Sequence, residues 1–185
     1  MLNSLRDMNR VLLLLIPLFL VTGIQIHAQT VTKATGGESV SADNTGGTFT
    51  ALTGPALEET SSGQLEEDGT IALTAPDGWE WDMGGTAPTV TISSASSAII
   101  ATNLRMSYTS RTATTVTFTV DNASSAWWFG LSRAGEATFG NLRIRPTSGT
   151  LPNSGNLTNT GTTGPRGSKN YGDLHMVAGT RAQFA

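Results

Sequence analysis

Short segments of alternating apolar and polar residues run through the chain from Thr48 onward. In the clearest of them, residues 114–120, Val116, Phe118 and Val120 alternate with threonines. A period of two places successive side chains on opposite faces of a strand, so one face of this segment is buried and the other meets water. Further segments with short-strand character are 48–53, 69–74, 89–92 and 139–145, with a longer and less regular one over 98–109.

Turn-forming residues separate these segments. They include Ala-Pro-Asp-Gly at 75–78, Gly84-Gly85, Asp121-Asn122 and Asn-Ser-Gly at 153–155. Helical periodicity is absent from the sequence, although residues 123–131 have room for one helical turn. Short strands between frequent turns predict an all-β protein, an antiparallel β-sandwich of about seven to nine strands in two packed sheets.

The first residues are typical of an export signal. Arg6 and Arg10 precede an apolar run over 11–21, and the small residue Ala28 offers a cleavage point. The run is shorter than the roughly twenty residues that span a bilayer as a helix, although a single-pass anchor is the alternative. We therefore expect a secreted or cell-surface protein. The expected parts are a signal peptide (1–28), a flexible lead-in (29–47), a β-sandwich domain (48–180) and a tail or linker (181–185).

Composition and charge exclude several function classes. The chain has no cysteine, which excludes disulfide frameworks, zinc–thiolate sites and c-type haem. Residues 29–82 contain ten acidic residues and one base, Lys33, whereas residues 83–185 contain eight bases and three acids. The net charge after export is negative and no basic stripe occurs, so nucleic acid is not an expected partner.

Two parts of the sequence resemble modules of large exported bacterial surface proteins. The first part is residues 69–82, Gly-Thr-Ile-Ala-Leu-Thr-Ala-Pro-Asp-Gly-Trp-Glu-Trp-Asp, followed by 86–92; the second is 139–149 with 154–158. The resemblance covers residues 48–180. It implies an immunoglobulin-like or cohesin-like β-sandwich without catalytic residues. The partners it implies are neighbouring modules of a larger surface protein, or an extracellular polysaccharide or protein.

Trp79 and Trp81 are two residues apart, so on a strand they share one face. Two interpretations follow from this spacing. Flat rings side by side form a platform on which sugar rings stack, or both rings fill the core of the sandwich. The second interpretation is favoured, because two large aromatic side chains are a major share of a small core.

Trp127, Trp128 and Phe129 are consecutive in the sequence. Adjacent residues of a strand point to opposite faces, so at least one of these rings should be exposed unless a loop folds it back. We predict that these three residues contact a ligand or partner. Arg143 and Arg145, which alternate with apolar residues and should face outward, form a predicted secondary patch.

Clustered acidic residues raise the question of a metal ion. Carboxylates are suitable ligands for Ca²⁺, but the sequence has no Asp-x-Asp-x-Asp-Gly loop. The acids concerned are Glu66, Glu67, Asp68, Asp77, Glu80 and Asp82. Solvated turn acids are the favoured interpretation, so we predict no cofactor and keep calcium as an alternative.

Enzymatic interpretations lack the required context. Ser132, Asp173 and His175 are the residue types of a hydrolytic triad, but the serine motif needs a strand-to-helix turn over a parallel sheet. We therefore predict that the chain is not an enzyme. The predicted function is a non-catalytic secreted or cell-surface module in adhesion or structural spacing. The alternative function is a carbohydrate-binding module that uses exposed tryptophans.

Overall fold

The computed structural model describes residues 29–179, which form thirteen strands and two 3₁₀ turns. The strands are β1 (Thr30–Thr32), β2 (Val40–Ser41), β3 (Thr50–Leu52), β4 (Ala56–Glu58), β5 (Thr70–Thr74), β6 (Trp79–Trp81), β7 (Thr89–Ser94), β8 (Arg105–Arg111), β9 (Thr115–Asn122), β10 (Gly135–Gly140), β11 (Leu142–Pro146), β12 (Ser154–Asn159) and β13 (Gly172–Val177). The 3₁₀ turns are Ala42–Asn44 and Trp128–Gly130. The all-β prediction is confirmed, with more strands than predicted. The predicted signal peptide (1–28) and tail (181–185) lie outside the described residues.

The strands form two layers. The front layer contains a four-stranded sheet in the order β1-β4-β10-β7 and a three-stranded sheet in the order β3-β11-β6. The back layer is one six-stranded sheet in the order β2-β13-β12-β5-β9-β8. Neighbouring strands are antiparallel except β2 and β13, which are parallel. Within the described residues, no helix has the length and apolar character needed to cross a bilayer.

The two front sheets continue one another through β10 and β11. The predicted strand 139–145 is interrupted at Asn141, whose φ of 53° lies in the left-handed region that Asn tolerates better than most residues. Buried positions are odd-numbered in β10 and even-numbered in β11. The extra residue therefore shifts the alternation, as a β-bulge does, and both halves keep an apolar face toward the core.

The core lies between the two layers. Phe118 of β9 and Phe139 of β10 meet there, with ring centroids 4.7 Å apart. Val116, Phe118 and Val120 are all buried, as the alternation predicted. Further buried side chains come from both layers: Leu57, Ile71, Leu73, Trp81, Leu142, Ile144, Leu157 and Leu174.

Residues 29–47, predicted as a flexible lead-in, instead contribute to both layers. β1 pairs with β4 in the front layer, and β2 pairs with β13 in the back layer. Between them Ala34 bridges to Gly172, and the Lys33 Nζ lies 2.9 Å from Asp173 Oδ2. Strands of two or three residues are too short to show a period of two, so the sequence pattern did not indicate them.

Phe118→Ala should lower the free energy of unfolding by about 3–5 kcal/mol, because it removes the ring that contacts Phe139 and leaves a cavity between the layers. Thr117→Val is the matched control on the opposite face of β9 and should change stability by less than about 0.5 kcal/mol. Urea denaturation followed by circular dichroism measures both. Equal effects of the two substitutions would contradict the assignment of the core face.

Lys33→Gln should destabilise the protein in a pH-dependent way. The hydrogen bond from Lys33 holds the pKa of Asp173 below its ordinary value, with a second contribution from Asn170. A lowered pKa in the folded state stabilises above the ordinary pKa, and this stabilisation disappears as the pH falls through the folded value. The stability difference between wild type and variant should therefore shrink from neutral pH to below about pH 4.

Lys169→Gln is the control for that experiment. Lys169 is exposed, and no ion pair to it is found within residues 29–179. Its effect on the free energy of unfolding should be small and nearly independent of pH. A Lys33→Gln effect that persists at low pH would show that the ion pair is not its cause.

Candidate functional site

The three predicted aromatic residues lie in the loop between β9 and β10, residues 123–134, which we call the aromatic loop. A 3₁₀ turn shapes its tip: the Trp127 N–H donates to Leu131 O at 2.8 Å, and the Gly130 N–H donates to Trp127 O at 2.9 Å. Phe129 and Gly130 have φ angles of 69° and 73°, which reverse the chain direction. The segment is thus a tight turn and not a strand.

All three aromatic side chains are exposed. The exposed fractions are 54% for Trp127, 76% for Trp128 and 91% for Phe129. The rings of Trp128 and Phe129 meet edge to face, with centroids 6.1 Å apart and planes at 69°. The sequence predicted at least one exposed ring, and all three are exposed because a turn does not bury alternate side chains.

The backbone of Phe129 is strained without a gain from burial. A left-handed φ costs a residue with a Cβ roughly 1–2 kcal/mol. In many proteins a buried ring offsets such a cost, but the ring of Phe129 is almost wholly exposed. Strained residues that persist in a fold often lie at functional sites. The strain and the exposure together make this tip the candidate contact surface of the protein.

A fourth exposed apolar residue, Ile99, lies beside the aromatic loop. Its side chain is 66% exposed, and its N–H donates to Ser132 O at 2.9 Å. The sequence pattern did not indicate Ile99, because residues 98–109 alternate poorly. The one available signal was the apolar run Ala98-Ile99-Ile100 in an otherwise polar stretch.

Arg133 ties the aromatic loop to two neighbouring loops. Its guanidinium carbon lies 4.9 Å from the centroid of the Trp127 ring, and its Nε donates to Ala101 O at 2.9 Å. Its backbone N–H donates to Ser62 Oγ at 2.7 Å. A cation–π contact of this kind contributes on the order of 1 kcal/mol. This contact favours one orientation of the Trp127 ring, and about half of the residue stays exposed.

The buried carboxylate of Glu59 fixes the base of the aromatic loop. Its Oε1 accepts hydrogen bonds from the N–H groups of Gln64 and Leu65, both at 3.0 Å. Its Oε2 accepts from the N–H of Gly135, the first residue of β10, at 2.9 Å. One side chain thus holds the 59–65 loop and the start of β10 together. Nothing in the sequence distinguished Glu59 from the other acidic residues, such as its half-buried neighbour Glu58.

Arg143 and Arg145 form a separate patch on the outer face of β11. The Nη1 of Arg143 lies 2.9 Å from Asp82 Oδ2, and the Nε of Arg145 lies 2.7 Å from Glu80 Oε1. The guanidinium of Arg145 also covers the ring of Phe49 at 4.3 Å. A length of strand on the order of 25 Å separates this patch from the aromatic loop, so the structure does not bring the two predicted contact groups together.

Trp79 and Trp81 of β6 are both buried in the core. Of the two interpretations of their spacing, the structure therefore shows the one in which the rings fill the core. Their ring nitrogens have internal partners. Trp79 Nε1 donates to Asn153 Oδ1 at 2.9 Å, and Trp81 Nε1 donates to Thr114 O at 3.2 Å. Neither ring is available as a sugar platform.

The acids considered for calcium do not converge. Glu80 and Asp82 are in the ion pairs described above, and Asp82 Oδ1 also accepts from the N–H groups of Gly84 and Gly85. Glu66, Glu67 and Asp68 are exposed in the turn before β5. Among residues 29–179, no three His, Asp or Glu side chains lie close enough to hold a metal ion.

The residues considered for a hydrolytic triad have separate surroundings. Ser132 lies in the aromatic loop, and its Oγ is 3.4 Å from the Oγ of Ser62. Asp173 and His175 lie in β13, where Asp173 pairs with Lys33 and the His175 ring is exposed. In the described part of the chain, no hydrogen bond joins Ser132 to either residue.

Comparison with known proteins gives one similar solved structure. No family model and no curated protein matches the chain. The solved structure is the non-cellulosomal cohesin from the hyperthermophilic archaeon Archaeoglobus fulgidus, with 17% sequence identity, coverage of 81% of this chain and 91% of that chain, and a TM-score of 0.39.

Glu59→Gln should lower the free energy of unfolding by about 1–3 kcal/mol, since an amide NH₂ replaces one acceptor oxygen that faces backbone N–H groups. It should also raise hydrogen exchange at Leu65 and Gly135. Glu67→Gln removes the same charge from an exposed position and should change neither quantity appreciably. Equal protection in the two variants would show that Glu59 does not hold the loop base.

Proposed function

We propose that the chain is a non-catalytic, exported β-sandwich module that contacts a partner through the aromatic loop, in an adhesion or spacer role at the cell surface or outside the cell. The observation that supports this function is the exposure of Trp127, Trp128 and Phe129 at one end of a firmly packed sandwich. Tryptophan is among the residue types that contribute most to protein interfaces. The sandwich acts as the rigid support, and the loop presents the contact.

The size of the exposed aromatic surface limits the binding free energy that the aromatic loop supplies by itself. Burying the exposed parts of three rings removes on the order of 400 Å² of apolar surface from water, or about 10 kcal/mol before costs. Association itself costs a comparable amount in lost freedom of motion. A stable complex therefore needs further contacts beside the loop.

Carbohydrate binding is the second candidate function, and the exposure of Trp127 and Trp128 favours it. A single exposed ring is enough to stack on one sugar. The rings of Trp128 and Phe129, however, are inclined at 69° and form no flat row for a polymer chain. A protein partner, which adapts to rings of mixed orientation, is the better supported of the two.

The double variant Trp127→Ala/Trp128→Ala should lose binding to the partner by roughly thirtyfold or more, because it removes two side chains of the type that dominate interfaces. Residues 29–185, which contain both layers and the whole described core, are the protein to use. A photoreactive residue at position 128, on cells that export the chain, should crosslink to a protein. The same photoreactive residue in place of the exposed Leu151 is the control, and it should not crosslink to a protein.

Polysaccharide pull-down separates the two candidate functions. Under the proposal, cellulose, chitin and xylan retain neither the wild type nor the folded double variant. Retention of the wild type that disappears in the double variant, with the fold intact by circular dichroism, would replace the proposal with the carbohydrate-binding function. Crosslinking of equal strength from positions 128 and 151 would also contradict it.

A further inference from the structure

We propose that a cleft beside the aromatic loop binds a carboxylate, and that the partner is a protein segment with an acidic side chain in this cleft and an apolar side chain against the aromatic loop. This inference deepens the proposed function and rests on it for the apolar half of the contact. The carboxylate half stands on separate residues. The two halves are therefore testable one at a time.

The cleft has a volume of ≈ 590 Å³ and lies where β8 begins and β9 ends. Its walls include residues 102–105, Asp121, Asn122 and Arg133. Arg133 also covers the ring of Trp127 at 4.9 Å. The same side chain thus lines the cleft and contacts the aromatic loop, so that a ligand in the cleft lies next to the exposed rings.

Two guanidinium groups in the cleft have unused donors. Arg105 is exposed, and within residues 29–179 its guanidinium has no hydrogen-bond or ion-pair partner. Arg133 uses its Nε on Ala101 O, which orients the group, while its terminal nitrogens have no acceptor among the described residues. A guanidinium offers its N–H groups in a planar fork that matches the two oxygens of a carboxylate.

The lining of the cleft contains more positive than negative charge. Asp121 is the acid that lines it, and one of its oxygens accepts from Ser107 Oγ at 2.9 Å. Two arginines and one aspartate give the lining a net positive charge. The exposed acidic turn of residues 66–68 precedes β5. Strands β5 and β8 pair with opposite edges of β9. This turn reaches the end of β9 beside the cleft, because the Asp68 N–H donates to Val120 O at 2.9 Å. The acids lie on the β5 side of β9, and the cleft lies on the β8 side.

The amide groups of the cleft point to a peptide and not to a sugar. The Asn103 amide binds Ser125 through both its oxygen and its nitrogen, at 3.0 and 3.1 Å. The Asn122 amide nitrogen donates to Asn103 O at 2.7 Å and to Ala123 O at 3.1 Å. A sugar needs several free donors and acceptors for its hydroxyl groups. The free groups here are mainly guanidinium N–H groups, which suit a single carboxylate.

The test uses residues 29–185 and two capped peptides, Gly-Glu-Phe-Glu-Gly and its glutamine counterpart Gly-Gln-Phe-Gln-Gly. In an NMR titration, the acidic peptide should shift signals of residues 102–105 and of Arg133, and the glutamine peptide should bind about tenfold more weakly. Arg105→Gln should weaken binding of the acidic peptide about tenfold. Arg133→Lys, which keeps the charge but loses the fork, should weaken it less.

Arg166→Gln is the matched control, because Arg166 is exposed, does not line the cleft and undergoes the same change of charge. It should leave the affinity unchanged. Equal affinity of the two peptides, equal effects of Arg105→Gln and Arg166→Gln, or no binding of the acidic peptide would each overturn the carboxylate inference. Binding of an oligogalacturonate in the cleft without binding of the peptide would replace the protein partner with an acidic polysaccharide.

Failure of this inference is distinguishable from failure of the proposed function. If Trp127→Ala removes the partner crosslink from a photoreactive residue at position 128 while Arg105→Gln has no effect on peptide binding, the aromatic contact stands and the carboxylate site falls. If the double variant binds the acidic peptide as the wild type does, the carboxylate site stands. In that case the aromatic loop contributes nothing to it.

Discussion

The packing of β10 and β11 against the back layer is the constraint on which the rest of the structure depends. This strand pair forms the centre of the front layer, and Phe139 meets Phe118 of the back layer across the core. Its apolar face must stay inward over its whole length, which the extra residue at Asn141 allows. Because the aromatic loop leads directly into β10, the same packing fixes where Trp127 and its neighbours are presented.

Buried polar side chains hold the loops in a chain that lacks cysteine and therefore has no disulfides. Glu59 binds three backbone N–H groups beneath the aromatic loop. Asn159 also binds backbone groups. Its Oδ1 accepts from Ala72 N and Gly161 N, and its Nδ2 donates to Thr163 O. No buried side-chain N or O atom of residues 29–179 lacks a partner. Loops fixed in this way lose little freedom on binding, which favours affinity.

The arginines of this protein differ in whether neighbouring residues already pair with their guanidinium groups. Arg143 and Arg145 alternate with buried residues and are oriented outward as expected, but Asp82 and Glu80 already pair with them. Arg105 and Arg133 have open guanidinium donors, and Arg133 also lies against the exposed ring of Trp127. Whether an arginine is available to bind a partner thus depends on acidic residues that are distant from it in the sequence. The proposal of an acidic and apolar partner rests on this combination of apolar rings and open cationic donors.

The sequence by itself determined the class of fold and the buried faces of its longer strands. In β9, three repeats of Thr and an apolar residue are enough to assign Phe118 to the core, because the period of two is a local property of the strand. It also determined that Trp127 and Trp128 could not share one strand face. The tertiary structure alone decided the short strands β1 and β2, the partners of each arginine, and the position of Ile99 beside the aromatic loop. These features depend on contacts between residues far apart in the chain, such as Lys33 and Asp173, and no local periodicity records such contacts.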